Sequence, residues 1–233
     1  VLSETLAGSW GAMPDRDGVF GVPNPGGNLT NQPVEMIEAL HPIEITRYGM
    51  LENSGGPGRQ RGAPAILRQY RMRADDILVV LRSDRKHHLP WGLDGGAPGT
   101  PCLHIVNPGA GQRVLPPMPM EAIRFDEGDV FLHIGAGGGG YGDPLDRDPA
   151  LVLADVIEER LSAEYADRVY GVVIDLGSLT VDAAATQARR DALRESRTKR
   201  DGALPAWLEL FGAPLGLGEI MLQGDRELVY RAC

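Results

Sequence analysis

The apolar positions of this 233-residue chain change period near residue 145. Ahead of that point they fall in short runs that alternate or stay unbroken for about four to eight residues, as strands do. Residues 43–48, IEITRY, alternate with the period of a half-buried strand. Residues 65–72, 103–106 and 130–134 read as further strands, and 77–81, ILVVL, is apolar throughout and short enough for a central strand. Glycine-rich stretches separate them: SGGPGRQRG at 54–62, PWGLDGGAPG at 90–99 and GAGGGGYGD at 135–143, with a loop-rich opening over 1–33. The predicted fold is α+β and mainly β, a sandwich or barrel-like core with glycine-rich loops followed by C-terminal helices.

Beyond residue 145 the period becomes helical. Asp148 and Pro149 supply an N-cap and a first-turn proline, and Leu153, Val156, Ile157 and Leu161 follow on one face. Ser162 caps a second short helix over 163–169, residues 171–175 read as a strand, and 182–197 form an Ala- and Arg-rich helix. Pro and Gly punctuation returns over 201–233. The expected division is 1–183 as the main unit and 184–233 as a helical segment with a C-terminal extension.

Gly 31 and Pro 18 place the chain among turn-rich proteins rather than helical bundles. A net charge of −9 opposes binding to phosphate backbones and anionic membranes. The arginines at 189, 190, 194 and 197 alternate with acids and read as a solvated helix face. Two cysteines, Cys102 and Cys233, give neither a disulfide framework nor zinc spacing, so a reducing cytoplasm is the expected location. No run approaches the ~18 apolar residues of a membrane span, and no signal peptide is visible.

Gly135, Gly137 and Gly140 satisfy G-x-G-x-x-G, but Pro144 follows at once and no helix opens at the run, so the dinucleotide reading fails. No Lys-Ser or Lys-Thr follows, which excludes a P-loop. Two readings stay open: the glycines pack against a neighbouring backbone, or they line a substrate or subunit contact. Loop 54–62 could form an anion nest with Arg59 and Arg61 as forked donors, or a turn whose arginines meet carboxylates. The five histidines, His41, His87, His88, His104 and His133, show no helical metal spacing, and no metal ligand is assigned. Cys102 and His104 would share a strand face, and Cys102 reads as a buried, inert thiol.

An ordered series carries more than any single motif. ETLAGSWGA at 4–12, SGGPGRQRG, Ser83-Asp84-Arg85, PWGLDGGAPG, Gly128-Asp129-Val130, GGGGYGDPLDRDP and Val169–Val173 occur in that order. The series resembles the hydantoinase B/oxoprolinase family over residues 4 to about 185. The resemblance implies a part of an ATP-dependent enzyme that opens cyclic amides such as hydantoins or 5-oxoproline, with ketone carboxylation of the acetone or acetophenone type as the alternative. It implies that a hydantoinase A-type subunit or domain uses the ATP. The chain then matches the C-terminal part of a longer subunit, whose N-terminal part holds any divalent metal. Candidate substrate contacts are Arg59, Arg61, Gly137, Gly138, Gly139, Gly140 and Tyr141. The family's His-x-His-x-Thr-Asn segment is replaced by Pro23-Asn24-Pro25-Gly26-Gly27-Asn28. A non-catalytic docking module is the remaining reading, and the isolated chain is expected to be inactive.

Overall fold

The computed structural model describes residues 1–23, 26–27, 31–198, 219–223 and 227–231. Its centre is a five-stranded sheet of β1 (Ile43–Met50), β2 (Ile66–Met72), β4 (Leu103–Val106), β5 (Arg113–Val114) and β7 (Val130–Ile134). The order is β1-β2-β7-β4-β5, every pair antiparallel, so β1 and β5 are open edges and no barrel closes. Side chains alternate across the pleat. Leu67, Leu103, Ile105, Leu132 and Ile134 pack on one face with Leu51 and Ala65. Tyr70, Met72, Val106 and Phe131 pack on the other with Leu115 and Phe125.

That second face is lined by a smaller antiparallel pair, β3 (Ile77–Val79) and β6 (Ile123–Phe125), which delivers Ile77, Val79, Ile123 and Phe125. The run 77–81 is therefore not a central strand. Only alternate residues face the core, and Leu78 and Val80 are 62% and 71% exposed. Its uniform apolarity hides a one-sided strand. A short helix, α1 (Val34–Leu40), precedes β1 and buries Ile37.

The helical part follows its local signals. Asp143 accepts from the Leu145 amide and opens a 3-10 turn, Pro144–Asp146. Asp148 accepts from the Ala150 amide and opens α2 (Pro149–Ile157). Ser162 accepts from the Tyr165 amide at the start of α3 (Ala163–Tyr165), which runs on as a wider turn to Tyr170. Val152, Leu161, Tyr165, Ala166, Val169, Tyr170 and Val172 form a second core. Gly171, at φ +62°, stops this helix in a conformation that L side chains rarely adopt. The strand expected over 171–175 shrinks to β8 (Ile174–Asp175), paired with β9 (Thr180–Val181).

Helix α4 (Ala183–Thr198) is not simply a solvated basic face. Arg190 is buried and donates to the carbonyls of Tyr170 (3.0 Å) and Arg147 (2.6 Å). Arg189 pairs with Asp167 at 3.0 Å and Arg194 with Asp146 at 2.9 Å. These arginines fasten α4 to the segment 144–170. β10 (Glu219–Gln223) and β11 (Glu227–Arg231) pair antiparallel. The rest of the expected extension, Cys233 included, lies outside the described residues.

Candidate functional site

The three glycine-rich stretches and residues 10–12 come together as extended segments bonded backbone to backbone. Gly137 donates to Thr100 O (3.1 Å), Gly138 to Ala63 O (2.9 Å), Gly140 to Ala97 O (2.9 Å) and Tyr141 to Gln60 O (2.9 Å). In return the Gly56 amide reaches Gly138 O at 2.7 Å, Ala12 reaches Gly139 O at 2.8 Å and Leu93 reaches Gly140 O at 2.9 Å. Gly137–Gly140 are all buried. A Cβ on Gly137 would meet Ser54 O at 1.9 Å, on Gly138 Trp10 O at 1.9 Å, on Gly139 Trp91 O at 2.0 Å and on Gly140 Pro57 O at 2.1 Å. Side chains are excluded because neighbouring backbones occupy their space on successive sides. In loop 54–62 the amides of Gly56, Arg59, Gln60 and Gly62 bond carbonyls of the bundle, and the Arg61 amide bonds Asp17 Oδ1.

The arginines of loop 54–62 divide. Arg61 is 4% exposed. Its Nε donates to Asp155 at 3.1 Å and its Nη1 to Gly62 O at 2.8 Å. Asp155, on α2, also receives Arg147 at 2.8 Å, and Arg147 forks onto both oxygens of Asp17 at 2.7 Å. Arg160 reaches Asp155 as well, at 3.4 Å, and this largely buried network of three arginines and two aspartates joins the N-terminal loop, the glycine bundle and α2. Burial resists ionisation of Asp17, but the Arg147 bond and charge outweigh it and hold the carboxyl below the usual range. Arg59 is exposed and its Nη2 donates to Pro14 O at 3.3 Å. The Arg59 amide bonds Gly142 O at 3.1 Å, and Tyr141, half-buried, bridges Gln60. Arg59 and Tyr141 thus stand at the rim of the bundle, above members that are enclosed.

A second cluster sits on the sheet, where the register sets Tyr48 opposite Arg68, Arg68 opposite His133 and His133 opposite His104. This polar row crosses four strands on the face otherwise packed by Tyr70, Phe131 and Val106. Arg68 has no exposed surface, lies 4.0 Å from the Tyr48 ring centroid and pairs with Glu4, whose other oxygen accepts from Tyr70 at 2.6 Å. Its Nε and Nη2 find no partner among the described residues. Nδ1 of His104 lies 3.2 Å from Nδ1 of His133, and Nε2 of His104 lies 2.6 Å from Ser83 Oγ and 3.5 Å from Cys102 Sγ.

Burial, with His133 and Lys86 nearby, pushes His104 down to about 3, and burial with Arg68 pushes His133 down to about 4. Burial pushes the Cys102 thiol up to about 11. The row presents two neutral imidazoles, a thiol and a cation under low dielectric. His41, His87 and His88 lie elsewhere, in α1's cap and an exposed turn. The strand alternation puts Cys102 and His104 on one face. His133 joins them only through the β4–β7 pairing, a long-range contact with no local signal beyond its place at an inward-facing position of its own strand.

The open antiparallel sheet, its glycine bundle and the helices that follow have counterparts among solved structures. The structure superposes on a chain of acetone carboxylase in its nucleotide-free form with a TM-score of 0.71 and 24% identity, over 88% of this chain and 32% of that one. It superposes on the ATP-dependent caprolactamase of Pseudomonas jessenii with a TM-score of 0.67 and 28% identity, over 80% of this chain and 33% of that one. The B-type subunit of a provisionally named D-/L-hydantoinase, from Pseudomonas sp. strain NS671, is 32% identical over 75% of this chain and 29% of its own length. Residues 1–144 match hydantoinase B/oxoprolinase, and the chain belongs to that family. It spans about a third of the length of these relatives.

Proposed function

We propose that the chain is part of an ATP-dependent amidohydrolase that opens a cyclic amide of the hydantoin or 5-oxoproline type, working with a hydantoinase A-type subunit or domain that uses the ATP. The observation that carries this reading is the match over residues 1–144, the segment that holds the sheet and the whole glycine bundle. The likeness to an ATP-dependent caprolactamase at 28% identity adds to it, because a lactam is a cyclic amide. An amide carbonyl is a poor electrophile. Phosphorylating its oxygen gives a leaving group, and the resulting anion needs fixed donors. In this reading Arg59 and Tyr141 at the bundle's rim meet it, while Arg61 and Gly137–Gly140 hold the rim's shape from beneath.

In the assembled enzyme, Arg59→Ala is expected to lower kcat/KM for ATP-coupled ring opening at least tenfold, with the melting temperature unchanged. Unaltered kinetics would remove Arg59 from the reaction. A second reading is ATP-dependent ketone carboxylation, favoured by the longer overlap with the acetone carboxylase alpha subunit of Xanthobacter autotrophicus, 27% identical and covering 88% of the chain. Assays of the same preparation with hydantoin and 5-oxoproline, against acetone and acetophenone with bicarbonate, separate the two by product.

A further inference from the structure

We propose that Cys102, His104 and His133 form a buried site for a single thiophilic divalent ion of the zinc type, separate from the glycine bundle and its rim. Taken one at a time, two of the contacts have the spacing a tetrahedral ion imposes, and with one atom per residue the three lie within 4.8 Å of one another. Zinc bonds of about 2.3 Å to sulfur and about 2.05 Å to nitrogen set S···N at about 3.6 Å and N···N at about 3.3 Å. The structure has 3.5 Å between Cys102 Sγ and His104 Nε2, and 3.2 Å between the Nδ1 atoms of His104 and His133.

These two contacts use different nitrogens of His104. A half-turn of its ring about χ2 exchanges Nε2 with Cε1, the corner between the two contacts, so that Nε2 then faces Cys102 and His133 together. The nitrogen and carbon positions of such a ring are an assignment. Ser83, whose hydroxyl lies 2.6 Å from the ring and donates to Pro117 O at 2.9 Å, is the nearest oxygen for a fourth position. Binding deprotonates the Cys102 thiol, and the proton leaves to solvent. Two cations flank the site, Arg68 beside His133 and Lys86 beside His104. Glu4 is paired with Arg68, and Asp84 lies near Cys102, so part of that positive charge is offset.

The ligand set selects the ion. One thiolate and two imidazoles suit zinc and its cobalt substitute and suit magnesium or calcium poorly. The three residues lie on β4, its lead-in and the central strand β7, where packing fixes their positions. An ion here would tie two strands together and stiffen the row that runs on to Arg68.

The test uses the protein with Cys233→Ser, which leaves Cys102 as its single thiol. Co2+ is added both to the folded protein and during refolding, so that burial does not hide the site. The expected result is a thiolate-to-cobalt charge-transfer band that saturates at one equivalent, and a rise in melting temperature with Zn2+. His133→Asn should weaken Co2+ binding at least tenfold, and Cys102→Ser should abolish the band. The absence of any thiolate band in the Cys233→Ser protein overturns the proposal, whether or not the other variants fold. So does a band that Cys102→Ser leaves intact.

Discussion

The glycine bundle and the polar row of the sheet solve opposite problems. At its centre, Gly137–Gly140, the bundle has no side chains, and amides of one segment bond carbonyls of the next. The row takes its backbone bonds from the ladder and fills its face with groups that are costly to bury, Arg68 and His104, beside the partly exposed His133 and the buried Cys102. The bundle is the most conspicuous feature of the sequence, yet its enclosed part acts as a scaffold. The row is inconspicuous in the sequence and gathers the groups with chemical potential. Glycine density marks where backbones approach, and reactive side chains need ordinary strands to hold them.

The largest effect is expected where the bundle depends on an outside anchor, a support the polar row does not share. Asp155→Asn leaves buried Arg61 with only the 3.9 Å contact to Asp17 and buried Arg147 with Asp17 as its one carboxylate, and should cost about 3 kcal/mol of unfolding free energy. Urea denaturation measures it, and a cost below about 1 kcal/mol would mean the network is dispensable. Next comes Gly138→Ala. Its Cβ would lie 1.9 Å from the Trp10 carbonyl, so backbone must shift, at a cost on the order of 3 kcal/mol.

The acid limb of stability sharpens the comparison further. Asp17 is held below its ordinary carboxylate value in the folded state, so the unfolded chain binds more protons as pH falls below about 4. Its contribution is present above that range and is lost as pH falls through the folded-state value. Asp17→Asn should flatten this limb of the urea midpoint while His104 and His133, which face the sheet core, are untouched. The smallest effect is the control: a Cβ on Gly49 in β1 meets nothing within 4 Å, so Gly49→Ala should stay within about 0.5 kcal/mol.

Much of the fold was legible. The strand at 43–50 follows its alternation, those at 66–72, 103–106 and 130–134 fall on the short runs that predict them, and the caps at Asp148 and Ser162 open the helices they predict. The run 77–81 misled because apolar content without alternation does not reveal that one side faces water. Gly171 was read as a strand start but acts as a helix stop, since a left-handed residue and a strand residue look alike in one letter. The short pairs β5, β6, β8 and β9 depend on tertiary partners and carry little local pattern. For the site, sequence spacing gave Cys102 beside His104 and the candidates Arg59 and Arg61. It could not give the burial of Arg61 against Asp155, ninety-four positions away, or the arrival of His133 across a strand pair.

The account turns on the glycine bundle being a packed, hydrogen-bonded scaffold rather than a set of open loops. Native-state hydrogen exchange at the amides of Gly137, Gly138, Gly140 and Tyr141 tests this directly. Protection equal to that of the β2 and β7 amides is the predicted result. Exchange at the rate of an unstructured loop, with β2 and β7 still protected, would contradict it.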